Sequence, residues 1–134
     1  MNNNYLKRHE ESLKSSEVLI SNHAHYSNSI HCSYYSVFQY MMHFHKVRGT
    51  RVFRDRDKLA GTGSHVLIIN ATFEILLTIN RKKADFFYSE IGRLKAERVI
   101  ADYKEHHIDQ TRSSISYEIA KKLILVLSDT INTK

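Results

Sequence analysis

Proline is absent from all 134 positions of this chain, and glycine occurs only four times. Proline is the strongest breaker of helices and glycine the next, so a chain with so little of either favours long helices over a strand-and-turn architecture. The length fits one domain spanning residues 1–134. Such a chain buries roughly 65–70% of the surface its unfolded form exposes, and it needs neither disulfides nor a structural metal to fold. Cys32 is the single cysteine and sits among aromatic and histidine residues, which points to the reducing cytoplasm. The N-terminal stretch MNNNYLKRHEESLK has no apolar run behind its basic residues. The longest apolar run, Leu123 to Leu127, is far below the ~20 residues that span a bilayer, so no membrane segment or membrane partner is expected.

Apolar spacing divides the chain into four or five helices. From Tyr5 to about Asn22, Leu6, Leu13 and Ile20 recur at heptad spacing among charged residues, with Asn4 as a candidate cap. His23 to Tyr26 reads as a joint. Ser27 to Lys46 carries the stripe Ile30, Tyr34, Val37, Met41 and Phe44, with Tyr35, Phe38 and Met42 beside it. A helix apolar on most sides belongs in the middle of a bundle. Val47 to Gly63 reads as a basic loop. Ser64 offers a cap for a third helix, from His65 to about Ile79, with Val66, Ile69, Phe73, Leu76 and Leu77 inward. RKKADFF reads as a joint, followed by a short helix from Ser89 to Val99. Asp109 is placed to cap a last helix with the stripe Ile115, Ile119, Leu123, Val126 and Leu127. The expected fold is all-α, a single-domain bundle packed mostly antiparallel.

Twenty basic residues against fourteen acidic give a net charge of +6, which favours acidic partners, nucleic acid among them. Six basic residues of KVRGTRVFRDRDK, Arg48, Arg51, Arg54 and Arg56 among them, surround Phe53. Such a segment either clamps phosphates while its ring stacks a base, or forms a solvated charge run that Asp55 and Asp57 partly cancel. Nine histidines include the pairs His23 with His25, His43 with His45, and His106 with His107. His43 and His45, two apart, diverge by about 200° on a helix, and none of the pairs has the i, i+4 spacing of zinc ligands, so no metal or other cofactor is expected.

Three blocks in order resemble the HEPN (higher eukaryote and prokaryote nucleotide-binding) domain. IHCSYYSVFQYMM resembles its second-helix stretch with paired tyrosines. GTGSHVLIINATFEILL places His65 and Phe73 where a histidine opens the third helix and a phenylalanine ends its stripe. RLKAERVIADYKEHHID places Arg98, Ala101, Asp102 and Tyr103 in step with an Arg-x-x-(Ala or Ser)-Asp-Tyr block. The resemblance implies a HEPN-like helical bundle, a homodimer, and RNA or nucleotide as ligand, in a bacterial toxin–antitoxin or defence setting. Many members are metal-independent RNases, whose active motif is arginine, four to six residues, then histidine. Here four residues after Arg98 lead to Tyr103, and His106 and His107 follow after seven and eight.

Cleavage through the 2′-hydroxyl needs a base, an acid for the leaving oxygen and a cation for the charged phosphorane. Arg98 suits the last role by bidentate phosphate contact, and His106 is the nearest base in that block, with Asp102 and Tyr103 beside them. The plainer alternative has Arg98 and Asp102, four apart on a helical turn, pairing to fasten the approach to the last helix. A second functional class is a non-catalytic module that dimerises or pairs with a protein such as a nucleotidyltransferase-type antitoxin.

Overall fold

The computed structural model describes residues 4–22, 24–50, 64–103 and 108–134. Among them it forms five helices and no strand: α1 (Asn4–Ser21), α2 (Tyr26–Arg48), α3 (Ser64–Ile79), α4 (Arg81–Tyr103) and α5 (Gln110–Thr130). No described helix is long and apolar enough to cross a membrane.

The centre is α2, which packs against each of the other four. Ile30, Tyr34, Val37, Met41 and Phe44 are all fully buried, as the 3-4 spacing predicts. Burial of side chains this size contributes about 1.5–3 kcal/mol each relative to exposure. Gly49 ends the helix in the left-handed conformation at φ 62° and donates its N–H to the carbonyls of His45 and Lys46. Touching pairs set the helix directions. His9 meets Ser36 while Ser16 meets Ser29, so α1 and α2 are antiparallel. Tyr35 meets Arg98 while His31 meets Asp102, so α4 also opposes α2. By the same reasoning α3 runs parallel to α2, because Tyr34 meets His65 and His45 meets Thr72.

The α1–α2 seam differs from the heptad expectation. Leu6, Leu13 and Ile20 are only partly buried, and the enclosed positions of α1 are His9 and Ser16. The Ser16 hydroxyl donates to the Ser29 carbonyl at 3.0 Å, and the Ser29 hydroxyl donates back to the Ser16 carbonyl at 3.0 Å. Ser33 Oγ lies 2.6 Å from Ser16 Oγ and donates to it, because the Ser16 proton is already used. One turn or two away, the Ser36 hydroxyl donates to the His9 carbonyl at 2.9 Å. Small hydroxylated side chains that satisfy one another let two helix backbones approach closely.

The fourth helix also departs from expectation. RKKADFF is not a joint: α4 is continuous from Arg81 through Gly92 to Tyr103, and Asn80 alone separates it from α3. The Asn80 side-chain oxygen accepts the Lys83 N–H at 3.0 Å, as an N-cap does. Ala84, Phe87, Ile91 and Leu94 then form a buried 3-4-3 stripe. A Cβ at Gly92 would meet nothing within 4 Å. Gly92→Ala is therefore expected to stabilise the protein by about 0.5–1 kcal/mol through helix propensity, read as a raised melting temperature.

On α3 the inward positions are Ile68, Ile69, Thr72 and Leu76, while Val66 and Leu77 are exposed. On α5 the Asp109 carboxylate accepts the Arg112 N–H at 2.9 Å, the expected cap, but Ile115 is exposed. Both segments are apolar over more than one face, which leaves the stripe's position undetermined by spacing alone.

Candidate functional site

Where α2, α3 and α4 meet, the fold collects polar and aromatic side chains from all three helices. His31, Tyr34, Tyr35 and Phe38 lie at i, i+3, i+4 and i+7 on α2 and so share a face. Arg98 and Asp102 are one turn apart on α4, and His65 is the second residue of α3.

Asp102 joins the cluster through one oxygen. Its Oδ2 is 3.1 Å from Arg98 Nε and 3.0 Å from His31 Nδ1. The arginine contact is an ion pair set off the hydrogen-bonding line, since that N–H has no bonded acceptor. Arg98 Nη2 donates to the Tyr35 hydroxyl at 3.0 Å. The guanidinium lies 5.5, 5.4 and 5.7 Å from the ring centroids of Tyr34, Tyr35 and Tyr103. Arg98 and Asp102 thus form the fastening pair and also stand inside the cluster. The Arg98 side chain keeps 15% exposure, and Tyr103 beside it is 70% exposed.

His65 packs flat on Phe38 with ring centroids 4.1 Å apart, and its Nδ1 is 2.8 Å from the Tyr34 hydroxyl. Burial lowers its pKa, and Arg98 and Lys95 lower it further, which favours the neutral ring. Burial pushes the Tyr34 phenol up to about 12, against the pull of Arg98. Behind the cluster, Arg112 clamps Glu97 with two bonds of 3.0 and 3.1 Å, tying α4 to α5.

The structure therefore brings Arg98, Asp102, Tyr103 and His65 together. It does not bring Arg48 to them. Arg48 Nη1 donates to the carbonyls of Thr130, Ile131 and Thr133, closing the end of α5. It lies thirteen residues beyond Tyr35, about 20 Å along α2. Arg51, Arg54, Arg56 and His106 lie outside the described residues. His31 is the member that sequence reasoning passed over. Its spacing of one turn from Tyr34 and Tyr35 is visible in the sequence, but its partner Asp102 is 71 residues away.

No group of three or more histidine, cysteine, aspartate or glutamate side chains suited to a metal ion occurs among the described residues. The chain matches no family model, no curated protein and no solved structure.

Proposed function

We propose that this chain is a HEPN-like nucleotide- or RNA-binding protein whose ligand phosphate rests against Arg98, in a bacterial toxin–antitoxin or defence setting. One observation carries the reading: an arginine side chain that keeps 15% exposure and is held by a carboxylate and a tyrosine hydroxyl, with the open ring of Tyr103 next to it. Guanidinium recognises phosphate by paired N–H donors, and an exposed aromatic ring gives a base a surface to stack on. The net charge of +6 adds a long-range attraction for polyanions. Asp102 competes with phosphate for Arg98, and that competition keeps the guanidinium oriented when no ligand is present.

The test is retention of labelled single-stranded RNA and of ATP at low salt. Wild type is expected to retain at least one of them, and Arg98→Ala to weaken retention about tenfold or more with an unchanged helical circular dichroism spectrum. Equal retention by the variant would remove Arg98 from the site.

A second reading, the interaction module, is favoured by a groove between α4 and α5. Phe86 and Ile115 stand exposed along it, rimmed by Glu90, Arg93, Glu118 and Lys122. An apolar floor with both signs of charge around it suits a protein surface such as a second copy of the chain. Indifference to both RNA and ATP in the same experiment supports this reading over the first.

A further inference from the structure

We propose that the groove between α4 and α5 binds a free α-amino acid with an apolar side chain, its ammonium on Glu90 and its carboxylate on Lys122. The inference goes beyond the Arg98 reading and does not depend on it.

The register of the two helices places the charges. α4 opposes α2, whereas α5 runs with α2: Arg48 meets Thr130 at one end, and at the other Tyr117 meets Glu17, beside Ser16 and its partner Ser29. α4 and α5 are therefore antiparallel, and Glu97 stands opposite Arg112. Seven residues back along α4, Glu90 falls opposite Ile119, and Lys122 lies three residues, about 4.5 Å, further along α5. A carboxylate and an ammonium from facing helices thus stand about one turn apart over a floor of Phe86, Ile115 and Ile119.

Both charges are left over by their neighbours. Glu90 Oε2 is buried and accepts no hydrogen bond, and its ion-pair partner, Arg93 Nη1, is 3.8 Å away, too far for one. Lys122 has no ion-pair or hydrogen-bond partner among the described residues. The other carboxylate of the rim, Glu118, is taken by Lys121 at 3.0 Å. A buried acceptor without a donor is unfavourable, and a carboxylate turns easily about its last bond to meet a donor in the groove.

Size selects among ligands that would answer these charges. The cavity holds about 320 Å³, at the small end of the roughly 300–1,000 Å³ usual for ligand pockets. Eight residues line it, whereas a stable protein interface uses about 20–30 on each side. A small molecule therefore fits the groove itself, and a second copy of the chain would have to extend well beyond it. An ammonium and a carboxylate on one carbon atom, with an apolar group to cover the floor, match the two charges and the surface between them.

Isothermal titration calorimetry of the full chain with L-phenylalanine and L-leucine tests the assignment. At least one is expected to bind with a Kd of about 1 mM or below. Hydrocinnamate and isocaproate, which lack the ammonium, and phenethylamine and isoamylamine, which lack the carboxylate, are expected to bind about tenfold more weakly than the parent amino acid. Glu90→Gln should erase the preference over the two acids, and Lys122→Met the preference over the two amines, a division that loss of folding would not produce. Absence of binding by either amino acid, equal binding of the single-charge analogues, or preferences unchanged in both variants overturns the inference. Where neither amino acid binds, a wild-type dimer that Ile115→Glu splits in sedimentation gives the groove to a second copy of the chain.

Discussion

At about pH 4.5 the protein is expected to melt roughly 10 °C lower than at about pH 7.5. The largest single source is His45, fully buried between α2 and α3. The Thr72 hydroxyl donates to the Ile68 carbonyl at 2.7 Å, so its oxygen accepts the His45 Nε2–H at 2.8 Å, and Nδ1 accepts from the Thr50 hydroxyl at 2.8 Å. This is a neutral imidazole with both nitrogens satisfied. Burial pushes its pKa down to about 4 against the upward pull of the Ile68 carbonyl, and Arg48 adds a smaller push downward. The unfolded chain takes up this proton near pH 6.5, before the folded one does. Stability is therefore complete above that pH and falls as the pH drops towards 4, by about 2–3 kcal/mol from His45 at pH 4.5. Burial lowers His9, His43 and His65 as well, which adds in the same direction. Thermal melts across this range check the result, and His45→Leu should flatten the profile. A melting temperature that stays level between the two pH values would show that the folded state carries its histidines charged.

Ser16→Leu should be the most damaging exchange on α1, costing about 3 kcal/mol. Ser16 is fully buried against Ser29 and Ser33, and its side chain both donates and accepts there. Leucine removes those bonds and forces the helices apart, whereas Ser16→Ala keeps the spacing and should cost about 1 kcal/mol. Denaturant midpoints separate the two. A leucine variant as stable as the alanine one would mean that the seam has room to spare.

The extent to which the sequence anticipates this structure varies by helix, for physical reasons. The stripe of α2 and the Asp109 cap of α5 are legible, because apolar side chains at a 3-4 period and a short acidic side chain before a helix each have one dominant local explanation. The α1 seam is not legible, since its buried face is built from serine and histidine and carries no hydrophobic signal. The start of α4 is hidden by a basic run, although Ala84 and Phe87 already fall in step with Ile91 and Leu94. At the site, Arg98, Asp102, Tyr103 and His65 are recognisable by type and order, but their convergence with His31 depends on how α2 and α4 cross. Arg48 reads as part of a phosphate clamp because its charge is visible in sequence. The carbonyls that accept from its Nη1 lie more than eighty residues on.

The same helix that supplies the fully buried Tyr34 also supplies Tyr35 and His31. Selection acting on this molecule cannot tune its chemistry along α2 one residue at a time, because most changes there alter how much folded protein survives. In a saturation library scored only by a cellular phenotype, that segment would read as a uniform block of intolerance. Abundance measured in parallel would be needed to pick out the half-exposed imidazole from its structural neighbours.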